Sequence, residues 1–471
     1  MNYENIQELA KACTEFYRSL EQKGDFLEKR LQLSTWIRKF HEDCGTLTSN
    51  VEAAIDKLKD GSCIFLMTAH QPNLFAYSGV LRKATLSYVL SKQLSRKLGR
   101  PVVGFFGIAD QDFTDDRWVK SSLIPDVERR NGSLELRIEL PEKLMLNRVQ
   151  KPPAELLDRW RSQIKNWLNL KTHTIKRLCK ELNFEIDLKN ANLLDNFELF
   201  WRIVEEAYEK AENYSDFNAF LMSKIINEVW GYDTLFCRFS ECQQIFEKEF
   251  SFLLMNFTKY SRYVKEATRL EDNTLKGGVY EQEYKTIPFW YHCDCGSKAR
   301  LLADSQKDSL VGRGQCLNCK EEYKISLLSK GQPEISGILS RISARSLSMP
   351  LVFSPGLCLC CYVGGVGGAS YLKQARYVAE HIAIPFPPVV VWRPHDVYLG
   401  VGQLEAILNF RKLSGTFSFS EYSATMIKLR ERLDNAKKEI EKLELQKNMF
   451  IKRPSIPKQE VVEKIKCISI K

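Results

Sequence analysis

The apolar positions of this chain change period several times, and each change predicts a different element. Through residues 1–60 they recur at helical spacing, as in Ile6, Leu9, Ala10 and Cys13 and again in Val51, Ala54, Ile55 and Leu58. At 63–69 the run becomes continuous, CIFLMTA, which suits a strand buried on both faces. A helical stripe returns over VLRKATLSYVLSKQLSRKLG (80–99), carried by Leu81, Ala84, Tyr88 and Leu94 and closed by Gly99. PVVGFFGIAD (101–110) is a second continuous run. Strand, helix and strand in this order predict a βαβ unit of a parallel sheet.

Beyond it the pattern is mainly helical, in PAELLDRWRSQIKNWL, NANLLDNFELFWRIVEEAYEKA and DFNAFLMSKIINEVW. SLELRIELP (133–141) alternates and predicts a small β element. The sheet is expected to resume in ISGILSRISARSL (335–347), LCLCCYVGG (357–365) and PPVVVWRP (387–394), with a helix over 369–384. Near the end, Met426, Leu429, Leu433, Ala436, Ile440, Leu443 and Phe450 form a heptad stripe. That stripe suits a coiled coil pairing two copies, or a helix docked on its own domain. The implied organisation is a helical preface (1–60), the first half of the sheet-bearing core (61–117), a mainly helical connecting insertion (118–285), a zinc ribbon (286–330), the second half of the core (331–400) and a C-terminal coiled-coil helix with a basic tail (401–471).

Composition narrows the setting. No apolar run reaches the ~18–20 residues of a membrane span, so no membrane partner is expected. The mixed-charge N-terminus reads as a folding helix and not a signal peptide, which predicts a cytoplasmic protein. Lys and Arg total 69 against 59 Asp and Glu, a net +10. Half of that excess follows Glu421, and it suits an anionic partner: a nucleotide, a phosphorylated or carboxylated small molecule, or RNA. Fourteen cysteines without an export signal favour thiols and metal ligands over disulfides.

Three constellations carry chemistry. Cys293-x-Cys295-Gly and Cys316-x-x-Cys319 give two knuckles that can set four thiolates around one Zn²⁺, a closed and therefore structural ribbon. Cys358, Cys360 and Cys361 lie in an apolar run and read as packing residues. TAHQPNLFAYSG (68–79) follows the first strand and YVGGVGGASY (362–371) a later one. In an open parallel sheet, loops so placed converge on a ligand at the switch point. Gly364, Gly365, Gly367 and Gly368 allow close backbone approach to phosphate or carboxylate at a helix N-terminus. The acidic turn DQDFTDD supplies Asp110 and Asp112 for an ammonium group, Mg²⁺ or a ribose. His70, at a strand's end, is the leading catalytic candidate, or else a turn-bracing residue.

Taken in order, these segments resemble the bacillithiol biosynthesis cysteine-adding enzyme (BshC) family. TAHQPNLFAYSGVLRK (68–83) is similar to its TGQQPGLFGGPLY-like loop, and PVVGFFGIADQDF (101–113) to its PVVPVFWIAGEDHDF-like strand. CYVGGVGGASYLKQ (361–374) matches an AYIGGPGEIAYWAQ-like loop and PFPPVVVWRP (385–394) a PFPxxVxR-like strand. The resemblance implies an α/β, Rossmann-like core related to class I aminoacyl-tRNA synthetases and nucleotidyltransferases, with inserts and a dimerising coiled coil. It implies joining L-cysteine to the amine of glucosaminyl-malate or a related anionic amino-sugar, with ATP activating the carboxylate. Thr68, His70, Gln71, Asn73 and Gly79 of the first loop, Asp110, Asp112, the four glycines and Arg345 would then line the site. His70 stands where the family has Gln, Gly368 near its Glu, Met349 at its Arg and Gln111 where it has His. Alternatives are a nucleotidyltransferase with another substrate, or a zinc-ribbon RNA- or tRNA-binding protein on a synthetase-like scaffold.

Overall fold

The computed structural model describes residues 5–21, 26–76, 78–126, 129, 132–181, 193–271, 283–357, 359–392 and 419–451. Helices Ile6–Glu21, Phe26–Cys44 and Ser49–Lys59 open the chain. Thr48 caps the third, its hydroxyl accepting from the Val51 N–H at 3.3 Å. β1 (Ile64–His70) leads through the helix Ser78–Leu98 to β2 (Val102–Ile108). A hairpin of β3 (Ser121–Pro125) and β4 (Ser133–Arg137) follows. Next come the helices Ala154–Glu181, Leu193–Lys210 and Tyr214–Ser223, and then β5 (Leu235–Arg238).

Helices Glu247–Met255 and Phe257–Glu271 lead into a second sheet. It comprises β6 (Thr286–His292), β7 (Lys298–Gln306), β8 (Ser309–Cys316), β9 (Glu322–Ser329), β10 (Gln332–Pro333) and β11 (Ile342–Ala344). The chain then returns through the helix Met349–Leu357, β12 (Leu359–Gly365), the helix Ala369–His381 and β13 (Val389–Trp392).

The first sheet is parallel throughout and runs β13-β12-β1-β2-β5. Its strand order therefore reverses between β1 and β12, the switch point of a doubly wound sheet. Alternation divides its core between two faces. Phe65, Met67, Val103 and Phe105 join the helices at 26–59 in one cluster, while Ile64, Leu66 and Val102 join Leu9, Cys13 and Leu94 in another. Gly107 in β2 is dictated by packing: a Cβ there would lie 2.1 Å from the Phe239 ring.

Two expectations need correction. Residues 118–285 are not purely a helical insertion, because β5 forms an edge of the parallel sheet. Residues 335–347 do not rejoin that sheet: β11 pairs antiparallel with β6, extending the cysteine-rich sheet beyond residue 330.

Tyr398–Lys471 forms a second unit, whose described part is one helix, Phe419–Ile451. Leu433 and Ile440 of the heptad stripe are each 55% exposed. The side chains of Met426, Leu429 and Phe450, the basic tail after 451 and Cys358 lie outside the described residues. Among the described residues no helix is long and apolar enough to cross a membrane.

Candidate active site at the switch point of the parallel sheet

β1 and β12 end side by side, with Thr68 opposite Val363, and the chains that follow them diverge. A cleft of about 600 Å³ opens there. Ala69, His70, Gln71 and Asn73 come from the first loop, and Gly79 and Lys83 from the helix after it. Asp112, Asp116 and Trp118 follow β2, and Gly365, Gly367, Gly368 and Tyr371 follow β12. The antiparallel sheet and its exit add Trp290, Ala344, Ser346 and Met349.

The first loop is held in a costly shape. Phe75 and Ala76 have φ of +58° and +45°, a region that side-chain-bearing residues avoid. Tertiary contacts offset this. The Phe75 N–H donates to Asn218 Oδ1 at 2.9 Å, and its ring packs against Trp160, Trp201 and Phe217. The Leu74 N–H donates to the Trp118 carbonyl at 3.0 Å, tying the loop to the acidic turn.

So fixed, the loop leaves Asn73 buried at 2% exposure, with neither Oδ1 nor Nδ2 hydrogen-bonded among the described residues. An orphaned buried amide costs about 1–3 kcal/mol per group, and this one lines the cleft. His70 Nδ1 lies 2.9 Å from the Gln71 carbonyl oxygen, which only accepts, so Nδ1 carries the proton and Nε2 is the acceptor. Burial, aided by the Lys83 charge, lowers its pKa to about 4 and keeps the ring neutral. Lys83, whose ammonium donates to the Ala69 carbonyl, is pushed down to about 8 by burial.

The glycine loop separates into two roles. A Cβ at Gly364 would meet Leu372 at 2.5 Å, so that glycine serves packing. Cβ atoms at Gly365 and Gly367 would meet nothing within 4 Å, and neither residue has positive φ. Their missing side chains leave room on the cleft side. Gly368 heads the helix Ala369–His381, which has no side-chain cap and no acidic residue in its first turn. Uncapped N–H groups at such an end favour an anion.

Four predicted residues do not line the cleft. The Thr68 hydroxyl donates to the Val363 carbonyl at 3.0 Å, beneath the site. Asp110 is turned away, accepting from Asn147 Nδ2 at 3.1 Å and from the Ser240 N–H and hydroxyl. Burial raises its pKa to about 6. Gly364 faces Leu372, and Arg345 lies over the Trp290 ring at 4.1 Å. Asp112 does face the cleft; desolvation raises its pKa, opposed by the nearby Lys298 charge.

Lys83, Asp116 and Trp290 are cleft residues that sequence reasoning passed over. Lys83 had a readable signal: it sits at helical spacing with the buried Val80, Ser87 and Leu90, where a lysine needs a reason.

At the head of the antiparallel sheet, the Sγ atoms of Cys293, Cys295, Cys316 and Cys319 lie within 4.8 Å of one another. Cys293–Cys319 and Cys295–Cys316 are 3.4 and 3.5 Å apart. Tetrahedral Zn–S bonds of about 2.3 Å set sulfurs roughly 3.8 Å apart, so the cluster fits a metal ion. Each knuckle turns on a left-handed residue after its second cysteine, Gly296 (φ +86°) and Lys320 (φ +66°).

The family model described as "Bacillithiol biosynthesis BshC, N-terminal Rossmann-like domain" matches residues 3–393. The chain belongs to this biosynthetic enzyme family.

Proposed function

We propose that this BshC-family chain joins L-cysteine to the amine of an amino-sugar conjugate, glucosaminyl-malate or a related amine, through ATP-dependent activation of the cysteine carboxylate. The observation that carries the reading is that the orphaned Asn73 amide and the glycine loop's empty space line one cleft. Both features are costly or unexplained without a polar ligand. A free carboxylate does not acylate an amine unaided. ATP, as co-substrate, supplies the leaving group: pyrophosphate departs as the carboxylate is adenylated, and AMP departs as the amide forms.

The chain's own groups divide the work. N–H groups of the 365–368 loop and the following helix hold phosphate oxygens, with Asn73 and the Lys83 ammonium alongside. Asp116 is the carboxylate available to a Mg²⁺ ion bound with substrate oxygens. His70, neutral with Nε2 as acceptor, takes the proton that the amine loses on attack. Trp118, Trp290 and Tyr371 give aromatic walls that exclude water. The four-cysteine cluster is read as a structural zinc site, closed to substrate. The exposed Leu433 and Ile440 support pairing of the 419–451 helix with a second copy.

The test is amino-acid-dependent ATP–pyrophosphate exchange. Cysteine should support exchange; Asn73→Ala should bring it to background, and His70→Ala should keep exchange but lose amide formation. Absence of both exchange and nucleotide binding in the wild-type protein would overturn the reading.

A further inference from the structure

A recess of about 40 Å³ runs inward from the cleft. Its mouth is formed by Ala109, Asp112, Phe239, Ala344 and Met349, which line both cavities. The Phe239 and Phe353 rings, 4.6 Å apart, make one side apolar. Its polar lining is supplied by Gln111, Asp112, Gln243, Lys298 and Ser343. Gln243 is 2% exposed, and its Nε2 has no hydrogen-bond partner among the described residues. Lys298 Nζ donates to the Gln111 carbonyl at 2.5 Å and lies 4.3 Å from the Phe113 ring centroid.

The space exceeds the ~10–15 Å³ that one water needs, but it is too small for a ring. Amide and ammonium donors suit a group that accepts a hydrogen bond and repel an ammonium group. A carboxylate fits poorly, since the Asp112 carboxyl stands at the mouth and the Ser343 hydroxyl is engaged with His292 Nε2 at 2.9 Å. Sulfur meets each requirement: it is large, weakly accepting, and gains contacts with aromatic rings.

We infer that this recess is the side-chain subsite for the amino-acid substrate, taking one methylene that ends in a thiol, with Asp112 at its mouth to pair with the α-ammonium group. The inference rests on the proposed ligase reading and deepens it.

Calorimetric titration of the full-length protein with L-cysteine, L-serine and L-alanine, wild type against Gln243→Leu, tests it. Wild type should bind cysteine about tenfold or more tighter than the other two. Gln243→Leu should bring the cysteine-to-alanine ratio close to one with alanine affinity unchanged. Its melting temperature should not fall, because an unpartnered donor is removed. An unchanged ratio in the variant, equal binding of all three by the wild type, or Gln243-dependent binding of malonate in place of cysteine would overturn the subsite. Gln243-dependent cysteine binding without amide formation supports the subsite and contradicts the ligase reaction. Amide formation whose cysteine preference survives Gln243→Leu does the reverse.

Discussion

In the parallel sheet, β1 and β12 end side by side and their following chains part, leaving a cleft walled by orphaned and uncapped polar groups. In the antiparallel sheet, β7 and β8 bring two knuckles together until four thiols converge. Polar groups left without protein partners mark a place for something that comes and goes. Four thiols that converge on one point mark a place for an ion that stays. The two regions are joined: the Met145 N–H donates to the Gly296 carbonyl at 2.9 Å, and Lys298 reaches the Gln111 carbonyl. The closed region thus supports the acidic wall of the open one.

The largest effect should come from breaking the closed region. Cys316→Ser should abolish metal binding and cost on the order of 5 kcal/mol or more in the local stability of that sheet. Substrate KM should rise with it, because Trp290 and Lys298 belong to the same sheet. Metal content, thermal melting and kinetics on one preparation check all three. Unaltered KM in metal-free protein would separate the two regions.

Adjacent glycines give a sharper contrast. Gly364→Ala should destabilise by about 1–3 kcal/mol through its clash with Leu372. Gly365→Ala should leave stability within about 0.5 kcal/mol yet weaken nucleotide binding about tenfold or more. Denaturant melts and titration with ATP distinguish them. Asn73→Ala should show opposite signs, with stability of the free protein equal or higher and ligand affinity lower.

The smallest effect is on pH dependence. His41 and His70, with pKa values lowered to about 3 and about 4, are neutral in the fold. Their contribution to stability is complete above 6.5 and is lost as pH falls through those values. Asp110, raised to about 6, acts oppositely: its contribution is complete below 3.8 and lost as pH rises through 6. The histidine contributions outweigh that of Asp110 and predict a melting midpoint a few degrees lower at pH 4.5 than at pH 7, measurable by calorimetry.

The same contrast explains what the sequence revealed. β1, β2, β12 and β13 are continuous apolar runs with turn residues behind them, because both faces of a parallel strand are buried. β5 was hidden: its four residues sit among helices, too few for a period to register. β11 is apolar in either sheet, and nothing local says which neighbour it joins. Within the site, the turn after β2 separates Asp110 from Asp112, and alternation in β12 separates Gly364 from Gly365. Asp112 lines the cleft while Asp110 turns to Ser240, and Gly365 opens on it while Gly364 packs on Leu372. Trp290 arrives from a distant segment, so only the tertiary fold brings it into the cleft that His70 lines.

The most direct measurement is product formation from L-cysteine, ATP and glucosaminyl-malate, followed by mass spectrometry. Wild type should yield the amide, and Asn73→Ala and His70→Ala should lose it while melting no lower than wild type. Undiminished amide from both variants would contradict the placement of the active site at this switch point.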